Sequence, residues 1–363
     1  MSLKDLIRKL RPDEIHWPTV GRTLGVLAVL GGLGGGAVVA FGLFNVSARA
    51  GHLPGVSWVL HTTFRNSVAL RAHAEPPETL ADAGMVALGA GHYDSACRHC
   101  HAAPGAERSA TVRSMTPEPP HISEAVQHWQ PDEFHWIVKE GVKMSGMPHW
   151  PATRDDDVWP VVAFLTRVGE MSGDDYARLT EKPDGRYCAM CHGAEGVSGN
   201  PNIPRLDILS ETYIRDTLHA YREGRRDSGI MAEAMSQVPA EAIDRLAAGL
   251  AESAPSGEQA PPDDLAQRGR ALAAAGGDTE VPACRACHGP WSEPLNPAFP
   301  SLAGQYAPYL EQQLRLWRDG NRGGTEVSEL MHHAARALDD DEIAALASYY
   351  AGLAPAELDD TRD

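Results

Sequence analysis

The sequence predicts an all-α protein, and three observations support that fold class. Aromatic residues make up only 6% of the 363 residues. Runs of β-branched residues are scarce, whereas the helix-favouring residues Ala, Leu and Glu are abundant. The pentapeptide Cys-x-x-Cys-His occurs three times, at residues 97–101, 188–192 and 284–288, and uses all six cysteines. Since a chain of this length forms about two to four domains, we expect three small helical domains.

The pentapeptide is typical of covalent haem attachment. Two thiols separated by two residues on one helical turn can each add to a vinyl group of one haem, and the following histidine then lies under the iron. A single copy could be a redox dithiol or half a zinc site, but three copies that leave no cysteine over favour haem. The flanking sequences are Ala-rich and helical, without the strands of a thioredoxin-like fold. We therefore predict three covalently bound haem c groups, attached through Cys97, Cys100, Cys188, Cys191, Cys284 and Cys287, with His101, His192 and His288 as iron ligands.

The N-terminal segment predicts a membrane anchor. Residues 23–48 carry no charged side chain, and a bilayer-spanning helix needs about 20 apolar residues. Basic residues outnumber acidic ones before this run, so the positive-inside rule places the N-terminus in the cytoplasm. A cleaved signal peptide is the alternative, because Ala48-Arg49-Ala50 loosely resembles a cleavage site, although the apolar region of a signal peptide has only about 7 to 15 residues. We expect a single-pass protein of a bacterial inner membrane, with residues 1–50 as cytoplasmic N-terminus and anchor and the remainder in the periplasm.

Residues 51–79 form a predicted juxtamembrane segment. Apolar residues from Trp58 to Leu70 alternate there with His61, Arg65 and Arg71. Such an amphipathic helix lies on the membrane surface or docks on the first haem domain, and the sequence favours neither alternative.

The net charge of the chain, −17, restricts its partners. Because the residues before the anchor are net basic, the exported part is strongly acidic. Nucleic acid and anionic lipid are therefore poor partners for the exported part, and we expect no binding to nucleic acid.

The second and third pentapeptides begin repeats of one unit. Twelve residues separate the histidine from a proline in both, Pro204 and Pro300. A helix with tyrosine and leucine, a Gly-Arg-rich turn, a methionine (Met231 or Met331) and a final amphipathic helix then follow in the same order.

This order of elements resembles class I cytochrome c, and the pair resembles the tandem di-haem cytochromes of bacterial periplasms. The resemblance implies that a proline carbonyl supports each proximal histidine and that Met231 and Met331 are the sixth iron ligands. Histidine and methionine ligation raises the reduction potential of a haem. The predicted domains are residues 173–254 and 263–354, joined by a Pro/Ser/Gly linker.

The first pentapeptide, in a predicted domain of residues 80–172, belongs to a related subtype. Gly146-Met147-Pro148 followed by a helix resembles the ligand loop of monohaem cytochrome c domains. We predict Met147 as the ligand in preference to Met144 or Met115. Bis-histidine ligation is a rival for any of the sites, and its candidates are His121, His128, His135, His149, His332 and His333.

The predicted helix crossings differ among the domains. Gly269 offers a close approach to Tyr349 or Tyr350 in the third domain, and Gly89 or Gly91 offers one to the C-terminal helix of the first. The second domain has a short leader helix and no such pair. We expect its crossing to be weaker and supported by a neighbour, so that the second and third domains form a unit.

The function that these features imply is electron transfer. An iron with both axial positions filled cannot bind oxygen or peroxide without losing a ligand. One hypothesis is a tethered carrier between a quinol-oxidising complex and a terminal oxidase of a respiratory chain. A second is the tri-haem subunit of a membrane-bound alcohol, aldehyde or sugar-acid dehydrogenase. A haem enzyme or gas sensor with one open iron is a third, from another class.

Overall fold

The computed structural model describes residues 16–183, 187–277, 281–290 and 296–355. Within these ranges the regular secondary structure is helical throughout, without a strand, and this confirms the all-α prediction. The chain divides into two compact units, one ending at Ser57 and the other beginning at Trp58.

The first unit contains one long apolar helix, α1 (Trp17–Ala40), of 24 residues. Proline at the first turn suits the start of a helix, and no side chain of α1 is buried. Among the helices of the described residues, α1 is the one that is long and apolar enough to cross a membrane. It ends earlier than the uncharged run does, because Gly42 adopts φ +62° and the amide of Leu43 donates to the carbonyl of Val38 (3.0 Å).

The juxtamembrane segment forms helix α2 (Val56–Arg71). Within the second unit, its residues Phe64 and Val68 dock on the region of the first pentapeptide. Val68 is fully buried in a cluster with Ile137, and the rings of Phe64 and Trp129 lie 5.5 Å apart in an edge-on arrangement. Of the two alternatives for this segment, the structure has the docked helix.

The region of the first pentapeptide is built around one tight helix crossing. Its helices are α3 (Ala83–His92), α4 (Arg98–His101), α5 (Ala110–Arg113), α6 (Ile122–Ala125), α7 (Pro131–Glu140) and α8 (Trp159–Val168). Helices α3 and α8 meet at Gly89, where a Cβ atom would lie 1.8 Å from the carbonyl oxygen of Pro160 and 3.0 Å from Cβ of Phe164. Only glycine allows this approach, as the sequence predicted for Gly89.

The second region has a weaker internal crossing. Its helices are α9 (Gly173–Leu179), α10 (Ala189–His192), α11 (Glu211–Arg222), α12 (Gly229–Ser236) and α13 (Ile243–Ala251). Ile214 and Leu218 of α11 pack on Ile243 of α13. The leader helix α9 instead inserts Tyr176 into the core of the first region, where the tyrosine hydroxyl donates to a carboxylate oxygen of Asp94 (2.9 Å).

The predicted support from a neighbour is therefore present, but the first region provides it for α9. The third region supports the second elsewhere. There the amide of Arg205 donates to the side-chain oxygen of Gln305 (3.0 Å), and the Gln305 amide group donates back to the carbonyl of Arg205 (3.1 Å).

The third region repeats the tight crossing of the first. Its helices are α14 (Asp264–Ala275), α15 (Arg285–His288), α16 (Ala307–Arg318), α17 (Ser328–Ala335) and α18 (Asp340–Ala351). A Cβ atom on Gly269 would lie 1.9 Å from the carbonyl oxygen of Ala345 and 2.8 Å from Cβ of Tyr349. This confirms the contact predicted between Gly269 and the tyrosine pair. The domain boundaries themselves stay predictions.

Candidate haem-binding sites

Each pentapeptide forms one short helical turn that ends at its histidine. These turns are α4, α10 and α15, and the residue that follows each histidine has a positive φ: 59° at Ala102, 79° at Gly193 and 73° at Gly289. The chain reverses there and returns toward the histidine. At Gly193 a Cβ atom would lie 2.1 Å from the carbonyl oxygen of Val197, so the return path is close.

The returning chain brings a proline carbonyl to each predicted proximal histidine. The Nδ1–O distances are 2.9 Å for His101 to Pro120, 3.1 Å for His192 to Pro204 and 2.9 Å for His288 to Pro300. A carbonyl only accepts, so Nδ1 carries the proton and Nε2 keeps its lone pair. Metal-binding histidines in proteins are held in this way.

Pro120 is the residue of this set that sequence reasoning missed. It lies 19 residues after His101, whereas the repeat spacing is 12. Arg108 lies between them and donates to the carbonyl of Pro119 (2.5 Å). The cluster of prolines at 117–120 was the available signal, but nothing in the spacing identified which proline faces the histidine.

Burial keeps the three histidines neutral. Desolvation lowers the pKa of His101, His192 and His288, while the hydrogen bond to the proline carbonyl opposes that shift. A neutral imidazole with a free Nε2 is the form that binds iron.

One large cavity joins the second and third sites. Its volume is about 410 Å³, and its lining includes His192 with Met231 and His288 with Met331. Most of the remaining lining is apolar, with leucines and isoleucines from helices of both regions. The structure thus brings each of these predicted histidine and methionine pairs to one space.

The first site distinguishes the methionines by exposure. Met144 is 93% exposed and has φ +61°, so its side chain lies in solvent. Met147 is half-buried beside the Val68 cluster, and its amide donates to the hydroxyl of Ser145 (3.1 Å). The methyl group of Met115 lies against Gly146, where a Cβ atom would be 2.7 Å away. This geometry favours Met147 over Met144 and brings the methyl group of Met115 against the loop that carries Met147.

Four of the rival histidines have local hydrogen bonds to backbone carbonyls. The pairs are His121 with Ala106 (2.8 Å), His135 with Asp155 (2.9 Å), His149 with Trp150 (2.8 Å) and His332 with Trp317 (2.9 Å). His121 and His135 use Nε2 in these bonds, which occupies the atom that would bind iron. His149 and His332 use Nδ1 and keep Nε2 free, as the three proximal histidines do. The ligand set as a whole stays a prediction.

Comparison with known proteins places these sites in a family. Residues 84–165 match the family described as cytochrome C oxidase, cbb3-type, subunit III, and residues 266–354 match the family described as cytochrome c. The thiosulfate dehydrogenase electron acceptor of Stutzerimonas stutzeri is 34% identical over 223 residues, which cover 58% of this chain and 97% of that protein. The chain belongs to the cytochrome c family.

Two further relatives of the cytochrome are cytochromes c4. That of Pseudomonas aeruginosa is 34% identical over 191 residues, covering 52% of this chain and 93% of that protein. The crystal structure of reduced recombinant cytochrome c4 from Pseudomonas stutzeri is 31% identical in sequence, with a TM-score of 0.44, and covers 47% of this chain and 95% of that one. The cytochrome is a multihaem electron carrier, and its three cysteine pairs fit three covalently bound haem c groups.

The lining of the large cavity includes two arginines, Arg226 and Arg322, that bear on whether haem fits there. Arg226 is buried, its guanidinium lies 4.7 Å from the ring centroid of Tyr221, and it donates to the hydroxyl of Thr217 (3.2 Å). Arg322 donates to the hydroxyl of Tyr213 (3.0 Å). Among the described residues, no carboxylate is paired with either arginine. Buried charges require a counter-charge, and the propionate carboxylates of haem would supply it.

Tyr213 reports the same positive field. Burial by itself raises the pKa of this phenol. The positive charges of Arg226 and Arg322 outweigh burial, so the pKa falls to about 8. The Gly-Arg-rich turns were visible in the sequence as part of the repeat, but their position inside the cavity was not. The apolar lining, the free Nε2 atoms and the unpaired arginines all suit an anionic porphyrin.

Proposed function

We propose that this cytochrome is a membrane-tethered electron carrier on the periplasmic side of a bacterial inner membrane, which relays electrons from a quinol-oxidising complex to a terminal oxidase. One observation carries the proposal. Three histidines, each at the end of its own short helical turn, present Nε2 and are held through Nδ1 by a proline carbonyl. We further propose Met147, Met231 and Met331 as the opposite ligands. Bound haem supplies one-electron chemistry, and a haem ligated on both faces transfers electrons without binding substrate.

The adjacency of the attachment sites supports a relay. A Cβ atom on Gly91 of α3 would lie 3.2 Å from Sγ of Cys191, so the helix that leads into the first pentapeptide touches the second. The second and third pentapeptides line the same cavity. Electron transfer between cofactors weakens steeply with distance, and close packing of the three sites favours transfer along the chain.

Two features support different partners. The first region matches a family named for an oxidase subunit, which favours delivery of electrons to a terminal oxidase. The Stutzerimonas stutzeri relative is named an electron acceptor of thiosulfate dehydrogenase. That name supports a second candidate function, in which a periplasmic dehydrogenase rather than a quinol-oxidising complex reduces this cytochrome. Retention of α1 as an anchor is common to both.

Mixing experiments separate these candidates. Membranes containing the full-length protein would be reduced chemically and mixed with a purified terminal oxidase. In a second experiment the oxidised protein would be mixed with a quinol-oxidising complex or with thiosulfate dehydrogenase and thiosulfate. We expect rapid oxidation in the first experiment and rapid reduction by the quinol-oxidising complex. Reduction by the dehydrogenase alone would favour the second candidate, and failure to react in either experiment would refute both.

The ligand assignment has its own test. The mass of the purified chain gives the number of attached haems, which we expect to be three. The weak far-red absorbance of oxidised haem that reports an iron–methionine bond should lose about one third of its intensity in Met147→Ala and none in the matched control Met144→Ala. Fewer than three haems would refute the relay. Absence of the band in the parent protein would favour the alternative of an enzyme or gas sensor with an open iron.

A further inference from the structure

A carboxylate from the first region caps the helix that carries the second methionine. Asp157 precedes α8 and is buried. Its carboxylate accepts from the amides of Gly229 (2.5 Å) and Ile230 (3.3 Å) and from the hydroxyl of Ser228 (3.2 Å). These residues form the start of α12, and Met231 follows them directly. Asp157 therefore acts as an N-terminal cap that is supplied from more than 70 residues away in the chain.

Residues 150–154, which precede Asp157, also contact the residues at the start of α12. The amide of Thr153 donates to the carboxylate of Asp227 (3.1 Å), and Arg154 donates to the carbonyl of Asp227 (3.1 Å). Trp150 packs so closely on Gly229 that a Cβ atom there would lie 2.3 Å from the indole nitrogen. The start of α12 is thus clamped by the loop that follows Met147.

The corresponding helix in the third region has no such cap. Helix α17, which carries Met331, begins after Val327 without a side-chain cap. Helix α12 has its own Ser228, whose hydroxyl accepts from the amide of Met231 (3.3 Å), and Asp157 is added to it. The difference between the two repeats is a contact that the first region makes with the second.

The position of Asp157 also gives it an electrostatic role. Asp157 lines the large cavity together with Met231 and His192, and the nearest cation is Arg154, with an N–O distance of 4.0 Å. Arg154 is itself bound in two places by Asp156, and Gln312 of the third region donates to Asp156 (2.9 Å). A carboxylate held by three donors inside a weakly polar cavity stabilises a nearby ferric iron relative to a ferrous one.

We propose that Asp157 is a positioning residue for the second haem: it orients the helix that presents Met231, and its charge lowers the reduction potential of that haem. The first region would thereby set the potential of the site next to it. The inference rests on the proposed function, because it takes Met231 as the iron ligand.

The test uses the full-length, haem-loaded protein and four variants. Asp157→Asn keeps an acceptor for the amides and removes the charge, whereas Asp157→Ala removes both. Asp155→Asn is the matched control, because this aspartate belongs to the same segment but its side chain is exposed and pairs with Lys139. Met231→Ala identifies the titration step of the second haem. Potentiometric titrations are recorded together with the far-red iron–methionine band.

We expect Asp157→Asn to raise the reduced-to-oxidised ratio of the second haem about tenfold at a fixed potential, a shift of about 59 mV for a one-electron couple, with the band intact. Asp157→Ala should add partial loss of the band, while the first and third haems and the Asp155→Asn variant titrate like the parent. If Asp157→Ala leaves both readouts unchanged although Met231→Ala removes a third of the band, the role of Asp157 is refuted and the ligation stands. If Met231→Ala leaves the band intact, the ligand assignment fails first. An equal shift of all three haems would show a general structural effect and also refute the proposal.

Discussion

The crossing of α3 and α8 provides a quantitative test of the fold of the first region. In Gly89→Ala, the new Cβ atom would lie 1.8 Å from the carbonyl oxygen of Pro160. Ordinary contacts begin at 3.4 Å, so the two helices must separate by more than 1 Å. The atom that it meets belongs to the backbone, and no side-chain rotation can relieve the overlap.

The expected cost follows from two opposing contributions. Overpacking of a well-packed core costs about 1 to 3 kcal/mol, and a backbone clash of this size belongs at the upper end, about 3 kcal/mol. Replacing glycine by alanine inside a helix contributes about 1 kcal/mol in the stabilising direction. The net expectation is a loss of about 2 kcal/mol. For a domain of 60 to 100 residues this lowers the melting temperature by roughly 8 to 16 °C.

The assay is thermal unfolding of the haem-loaded protein, followed by far-ultraviolet circular dichroism. Gly249→Ala is the matched control, because this glycine lies in α13 of the second region with no atom within 4 Å of the position of a Cβ. The control should gain up to about 1 kcal/mol. A melting temperature of Gly89→Ala that equals or exceeds that of the parent would refute the close crossing.

Three further substitutions probe other contacts. Ala102→Gly should stabilise the first region by about 1 kcal/mol, because Ala102 has φ 59°, a conformation that costs other residues about 1 to 3 kcal/mol; a lower midpoint of guanidinium unfolding would contradict this. Tyr176→Phe removes the hydrogen bond to the buried Asp94 (2.9 Å) and should cost about 1.5 kcal/mol in the same assay, whereas an unchanged midpoint would show that α9 is not held there. Arg226→Gln should lower the reduction potential of the haems at the large cavity, because it removes a buried positive charge that favours the ferrous state. Potentiometric titration measures this potential, and an unchanged value would argue against contact between Arg226 and the propionates.

Some features of the sites were predictable because they are local. The pentapeptide spans one helical turn, so its two cysteines and histidine are brought together by the sequence alone. The repeat spacing also aligned Pro204 with Pro300, and the resemblance to class I cytochrome c implied the contacts that their carbonyls make with His192 and His288. The glycines at the helix crossings were predictable for a related reason. A glycine in the middle of a helix destabilises that helix. Its presence there is explained when a neighbouring helix packs too closely for a larger residue.

Other features depend on contacts between distant residues. Pro120 faces His101 across a loop whose length departs from the repeat. The burial of Met147 depends on α2, whose residue Val68 belongs to the cluster that Met147 packs against. The sequence predicted that the second and third domains would form a unit. Helix α9 is supported by the first region instead, because Tyr176 packs in the core of that region.

The sequence by itself determined the chemistry of this protein: an all-helical chain of the cytochrome c type, with three attachment motifs for haem and an apolar segment near the N-terminus. These properties depend on residue types and short spacings, which the backbone geometry of a single helix converts into structure. The tertiary structure alone decided that the carbonyl of Pro120 faces His101, that Arg226 lies in the large cavity and that Asp157 caps the helix of Met231. Asp157 and Gly229 meet only because two separate regions pack together, and no periodicity along a chain encodes a contact between two surfaces.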